Sequence, residues 1–158
     1  MIEMVKVMLI KERLISKTKK KINNPTDIFR LMKRKSQRLD REYFWRVDLD
    51  AQNIPVGYEL VSIGTLNAGL CHPREIFKGA ILNNSASIVL VHNHPSNNAE
   101  PSQEDIETTK RIIEAGKILG IEVFDHIIIC LNGFTSIREK NEEMFKLDIR
   151  SSISNVIF

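Results

Sequence analysis

The chain has 158 residues, 42% of them hydrophobic, with a formal net charge of +3. That length suits one domain with a real core, no apolar run approaches the ~20 residues that a membrane span needs, and Met1-Ile2-Glu3-Met4 does not open a secretory leader. The expectation is a soluble, cytoplasmic, non-membrane protein, in which Cys71 and Cys130, lacking metal or redox spacing, are ordinary buried or half-buried residues.

Residues 5–10 alternate weakly and are predicted as a strand, followed by a lysine-rich connector through residue 24. Residues 1–46 hold 14 Lys/Arg against 5 Asp/Glu, and residues 47–158 hold 9 against 15. Such a basic front half can face nucleic acid, but its lysines also suit solvated helix ends, and no aromatic residues are interleaved to stack on bases. Pro25 starts a predicted helix over 25–38 with Ile28, Phe29, Leu31 and Met32 on its apolar side. Strands over 42–50 and 56–66, joined by the turn Asp50-Ala51-Gln52-Asn53, form a predicted antiparallel hairpin. Pro73 opens a second helix over 74–82, which Asn83-Asn84 ends.

Ser87-Ile88-Val89-Leu90-Val91 is a β-branched apolar run that predicts a buried strand ending in His92-Asn93-His94-Pro95. A helix over 102–119 follows, with Ile106, Ile112, Ile113 and Leu119 on its inner side and Gly120 as its stop. Residues 123–131 form a strongly apolar strand, Asn132-Gly133 is the clearest hairpin turn, and 134–137 return. A polar helix over 138–150 and a tail close the chain. Helices alternating with strands and hairpins predict an α/β protein, a mixed β-sheet flanked by helices. There is no internal repeat and no low-complexity segment.

Residues two apart on a strand share a face, so the imidazoles of His92 and His94 can converge on one ion. Asp105, at the start of the next helix, closes a His/His/Asp set that leaves a fourth position for water, the pattern of a hydrolytic rather than a structural metal site. A plainer reading also holds: Ser102-Gln103-Glu104-Asp105 has capping-box spacing, and a single histidine ending a strand is commonly just a satisfied polar residue. Two histidines stopped by Pro95 and followed within one loop by a carboxylate favour the metal.

His92-Asn93-His94-Pro95-Ser96, then Pro101-Ser102 and Asp105, resembles the RadC-like branch of the JAMM (MPN-plus) metalloprotease superfamily. The likeness extends to Gly64-Thr65-Leu66-Asn67, Pro73-Arg74-Glu75-Ile76-Phe77 and Asp125-His126-Ile127-Ile128, and so covers residues 25–140, between an N-terminal strand and connector over 1–24 and a C-terminal helix and tail over 141–158. The resemblance implies a cytidine-deaminase-like JAMM/MPN fold, with Zn²⁺ held by His92, His94 and Asp105. It implies that Ser102 orients the attacking water or stabilises the oxyanion, and that Glu42, in Arg41-Glu42-Tyr43-Phe44, hydrogen-bonds that water as the general base. Glu75 competes for that role, but its place in a first helical turn suits dipole compensation.

Asn93 departs from the Ser or Thr of deubiquitinating relatives, and Asn97 stands where this branch usually has glycine, a change that asparagine tolerates in left-handed backbone. The helix-hairpin-helix-like region of long RadC proteins has no room in residues 1–24. As a fourth ligand His126 would fill the open position, so a supporting role suits it better. His72, beside Cys71 and Pro73, reads as a turn residue.

The leading expectation is therefore a zinc-dependent amide hydrolase acting on a peptide or protein. The alternative is a DNA-repair or recombination accessory protein that binds nucleic acid or a repair partner, the description traditionally attached to RadC-like proteins. Nucleobase deamination ranks last, because the His-x-Glu and Cys-x-x-Cys pairs of zinc deaminases are missing. Ser96 and Asn97 replace the Asp and His that continue the metallo-β-lactamase motif, which removes that reading.

Overall fold

A computed structural model describes residues 20–64 and 71–146. The strand expected over 5–10, the far end of the one expected over 56–66, and the tail lie outside these residues. Helix α1 is Pro25–Ser36, started by Asn24, whose side chain accepts the Asp27 N–H, and by Pro25, which has no N–H to satisfy. It stops two residues before the expected position because Gln37 is extended and Arg38 takes φ 60°. Strands β1 (Tyr43–Leu49) and β2 (Pro55–Ile63) pair antiparallel, as expected. Helix α2 (Pro73–Leu82) leads to β3 (Ser87–Asn93), α3 (Gln103–Leu119) and β4 (Glu122–Cys130).

Parallel β3 and β4 cannot be joined by a tight turn, and α3 supplies the crossover. A hairpin through Asn132 returns to β5 (Gly133–Ser136), which runs antiparallel to β4. The sheet order is β2-β1-β3-β4-β5, so β3 sits at the centre with every residue buried. This is the expected α/β architecture, a mixed sheet with helices on both faces.

Alternation along β3 builds two cores. Val89 and Val91 pack with Ile28 and Met32 of α1, while Ile88 and Leu90 pack with Ile76 and Phe77 of α2 and Ile112 of α3. Burying each such side chain contributes roughly 1.5–3 kcal/mol. A one-residue irregularity changes the phase of β4: Ile88 pairs with Val123, but Val89 pairs with Asp125. Phe124 is the extra residue, and the shift turns His126 to the face that carries Leu90 and His92.

The inner side of α3 differs from expectation. Leu119 is 47% exposed, and the buried positions are Asp105, Thr108, Thr109, Ile112, Ile113 and Gly116. The helix buries a polar first half and an apolar second half, ending at Gly120 in left-handed backbone. The polar helix expected over 138–150 is instead two short ones, α4 (Ile137–Lys140) and α5 (Glu142–Phe145), parted at Asn141, and residues beyond 146 are outside the description. Cys71 and Cys130 are free and buried. Among the described residues no helix is long and apolar enough to cross a membrane.

Candidate metal centre

His92 is the penultimate residue of β3, His94 follows two residues later, just past the strand, and Asp105 lies in the first turn of α3. Their ligand atoms all fall within 4.8 Å of one another. His92 Nε2 is 2.9 Å from His94 Nε2 and 3.2 Å from Asp105 Oδ1, while His94 Nε2 is 3.4 Å from Asp105 Oδ2. His92 is fully buried, and its ring stacks on Phe44 at 6.1 Å between centroids.

The metal and capping readings of Asp105 prove compatible. The Ser102 hydroxyl accepts the Asp105 N–H at 3.1 Å, and Asp105 Oδ2 accepts the Ser102 N–H at 2.7 Å, while the carboxylate still faces both imidazoles. Burial alone would raise this carboxyl, but His92, His94 and the Ser102 N–H hold it well below the usual carboxylate range. The N-terminus of α3 adds a favourable dipole. Burial pushes His92 down, against the pull of Asp105. His94 is also pressed down by burial, but Asp105 and the Asn98 carbonyl carry it above its ordinary value.

His94 Nδ1 lies 2.7 Å from the Asn98 carbonyl, which can only accept, so Nδ1 carries the proton in the neutral ring and Nε2 presents a lone pair. That lone pair, a second imidazole and an ionised carboxylate make a donor set suited to a divalent cation such as Zn²⁺.

Glu42 directly precedes β1, and its negative charge favours protonation of both His92 and His94, which places it within electrostatic reach of the cluster. Asn93, the last residue of β3, clamps the backbone on either side of Glu42. Its Oδ1 accepts the Tyr43 N–H at 2.8 Å and its Nδ2 donates to the Arg41 carbonyl at 2.9 Å. Glu75 is instead paired with Arg74 at 3.2 Å and Lys78 at 2.9 Å on the first turn of α2. His72 caps that helix, its Nδ1 accepting the Arg74 N–H at 3.2 Å. Asn97 takes φ 61°, the left-handed conformation expected where glycine is usual.

Sequence reasoning placed His126 near the site without naming its partners. His126 Nε2 lies 2.8 Å from His92 Nδ1, and His126 Nδ1 lies 2.6 Å from Thr109 Oγ1. Burial holds His126 well below its ordinary value. Thr109, Asn98 and the Asn93 clamp were not singled out. The spacing of Thr109 from Asp105, one helical turn on the same face, was the available signal for the first. Beside His94 a cleft of about 120 Å³ opens between Arg38, Asn97 and Leu131.

The family model described as RadC-like JAB domain matches residues 22–143. A UPF0758 protein of Moorella thermoacetica is 51% identical over 120 residues, which are 76% of this chain and 52% of that protein. One from Methanosarcina mazei is 43% identical over 129 residues, 82% of this chain and 56% of that protein. One from Desulforamulus reducens is 51% identical over 119 residues, 75% and 52% respectively. The chain thus spans just over half the length of these curated relatives.

Proposed function

The chain belongs to the RadC-like JAB domain family, and on that premise we propose that it is a zinc-dependent hydrolase of amide bonds in a peptide or protein, at a peptide or isopeptide linkage. The observation that carries this reading is the convergence of His92, His94 and Asp105 within 4.8 Å, with the far nitrogen of His94 committed to a carbonyl. Those three side chains would hold the ion.

Bound there, Zn²⁺ supplies a Lewis acid and lowers the pKa of water to ~7. Glu42, held by the Asn93 clamp, is the base that takes a proton from the attacking water and returns it to the leaving amine. Ser102 orients the water or donates to the developing oxyanion, since accepting the Asp105 N–H leaves its own O–H proton unspent in that bond. The cleft of about 120 Å³ beside His94 has room for a substrate side chain. In the basic front half, Lys33 lies over the Phe29 ring and Lys35 over Tyr58. These contacts within the chain lend the nucleic-acid alternative no specific support.

Metal analysis of the wild-type chain and of His94→Ala and Asp105→Ala, followed by peptide-library cleavage with and without a chelator, tests the proposal. One zinc per wild-type chain, lost in both variants together with cleavage, is expected. A normal zinc content in His94→Ala overturns the assignment.

A further inference from the structure

We propose that Thr109 and His126 are positioning residues that lock His92 in the tautomer whose Nε2 is free to bind a metal, an inference that rests on the zinc reading above. The Thr109 hydroxyl has one proton. Its 2.6 Å contact with the Asp105 carbonyl, which can only accept, takes that proton. The 2.6 Å contact of the same oxygen with His126 Nδ1 is then made by an Nδ1–H of His126. His126 Nε2 is left as a lone pair, so the 2.8 Å contact with His92 Nδ1 needs His92 to donate. His92 Nε2 is thereby bare, and it faces His94 Nε2 at 2.9 Å and Asp105 Oδ1 at 3.2 Å.

The opposite polarity does not suit a metal ligand. With the Thr109 proton on His126 Nδ1, the Asp105 carbonyl loses its hydroxyl partner, and a proton ends on His92 Nε2, where it blocks the ligand atom. The hydrogen bonds run from the Asp105 carbonyl through Thr109 and His126 to His92 Nδ1, joining α3, β4 and β3, and leave His92 Nε2 beside the Asp105 carboxylate as a second ligand atom rather than a donor. Metal-binding histidines commonly donate their second nitrogen to a carboxylate or carbonyl. His94 follows that habit with Asn98, whereas His92 relies on a neutral imidazole, whose polarity must itself be fixed. Thr109 fixes it. Phe44, edge-on to His126 at 5.5 Å and stacked on His92, keeps both rings from turning.

Nitrogen-15 spectra of histidine-labelled chain at about pH 8, above the ordinary histidine range, read the tautomers directly. His92 and His126 are both expected as Nδ1–H rings in the metal-free chain, and addition of Zn²⁺ is expected to shift His92 Nε2 alone of the two. An Nε2–H tautomer of His126 in either state overturns the proposal. Nδ1–H rings that ignore Zn²⁺ would uphold the tautomer assignment while overturning the zinc reading, so the two failures are distinct. Thr109→Val keeps the side-chain shape and removes the hydroxyl. It is expected to mix the His126 tautomers and weaken Zn²⁺ binding by roughly 10- to 100-fold, with Thr109→Ser restoring both. Wild-type tautomers and Zn²⁺ affinity in Thr109→Val would overturn the role of the hydroxyl.

Discussion

Ser102 and Asp105 exchange hydrogen bonds, the Asp105 N–H donating to the Ser102 hydroxyl at 3.1 Å and the Ser102 N–H donating to the Asp105 carboxylate at 2.7 Å. The start of α3 therefore aims the carboxylate, and one side chain caps the helix while it faces both imidazoles. Asp105→Asn separates the two roles, because the amide oxygen can still accept the Ser102 N–H while its charge and second ligand oxygen are gone. Zinc should be lost, and unfolding in urea with chelator present should change by less than in Asp105→Ala, which also forfeits a cap worth about 1 kcal/mol. Wild-type zinc content in Asp105→Asn would remove Asp105 from the ligand set.

Glu42→Gln should retain zinc and lose cleavage by about 10²- to 10⁴-fold, the usual share of a general base. Glu75→Gln should leave both unchanged, since Glu75 is half-exposed and engaged with Arg74 and Lys78. The comparison is made with whatever peptide the library yields. If Glu75→Gln were the inactive variant, the base would be misassigned.

Asn93 predicts a different signature, because its side-chain hydrogen bonds go to the backbone of Arg41 and Tyr43, on both sides of Glu42, and not to the His92, His94 and Asp105 cluster. Asn93→Ala leaves the part-buried Tyr43 N–H without its partner, at a cost of about 1 kcal/mol. Cleavage should fall while zinc content stays at one per chain. Loss of zinc in a folded Asn93→Ala protein would mean that the clamp orients the histidines beside it instead.

The convergence of His92, His94 and Asp105 was legible in the sequence because its spacing is local: two histidines at strand spacing and a carboxylate at a helix start. The helices and strands around it were equally legible from apolar period, Pro25, Pro73 and Gly120. What surrounds His92 was not. Its contact with His126 spans 34 residues and depends on a one-residue shift at Phe124, which no periodicity announces. Leu119 was misplaced for a related reason. Asp105, Thr108 and Thr109 occupy core-facing positions that a purely apolar count passes over, which rotates the apparent inner face of α3.

Gly79→Ala tests how tightly the opposite end of this face is built. Within a helix the change would ordinarily be favourable by about 1 kcal/mol. Here a Cβ would overlap Glu59 Oε2 and sit 2.5 and 2.6 Å from the two terminal nitrogens of Arg46. That guanidinium cannot yield cheaply: it is buried and holds Asp48 at 2.6 Å, Glu59 at 2.8 Å and the Ile76 carbonyl at 2.7 Å. Crowding of this kind costs roughly 1–3 kcal/mol and wins. Urea unfolding should show a net loss, with zinc content per folded chain unchanged; a variant more stable than wild type would refute the packing argument.

Asp125 supplies a pH dependence remote from the ligands. Burial pushes its carboxyl up to about 6, against the hydrogen bonds it accepts from the Ser136 hydroxyl and the Arg138 and His126 N–H groups. The neighbouring charge is Arg138, whose guanidinium is bonded to the Phe124 carbonyl at 2.6 Å, while the adjacent His126 is held neutral by burial. Because the folded value lies above the unfolded one of about 3.9, the folded chain binds the extra proton. Its stabilising effect is complete below about pH 4 and is lost as pH rises through about 6, amounting to on the order of 1–3 kcal/mol by neutrality. In Asp125→Asn the amide oxygen still accepts both N–H groups and the amide nitrogen can donate to Ser136, so the fold should survive. Unfolding measured with chelator from about pH 4 to about pH 7 should then show the variant gaining on the wild type as pH rises. Parallel curves for the two proteins would mean that Asp125 is ionised in the folded chain throughout, stabilised by its three donors more than it is penalised by burial.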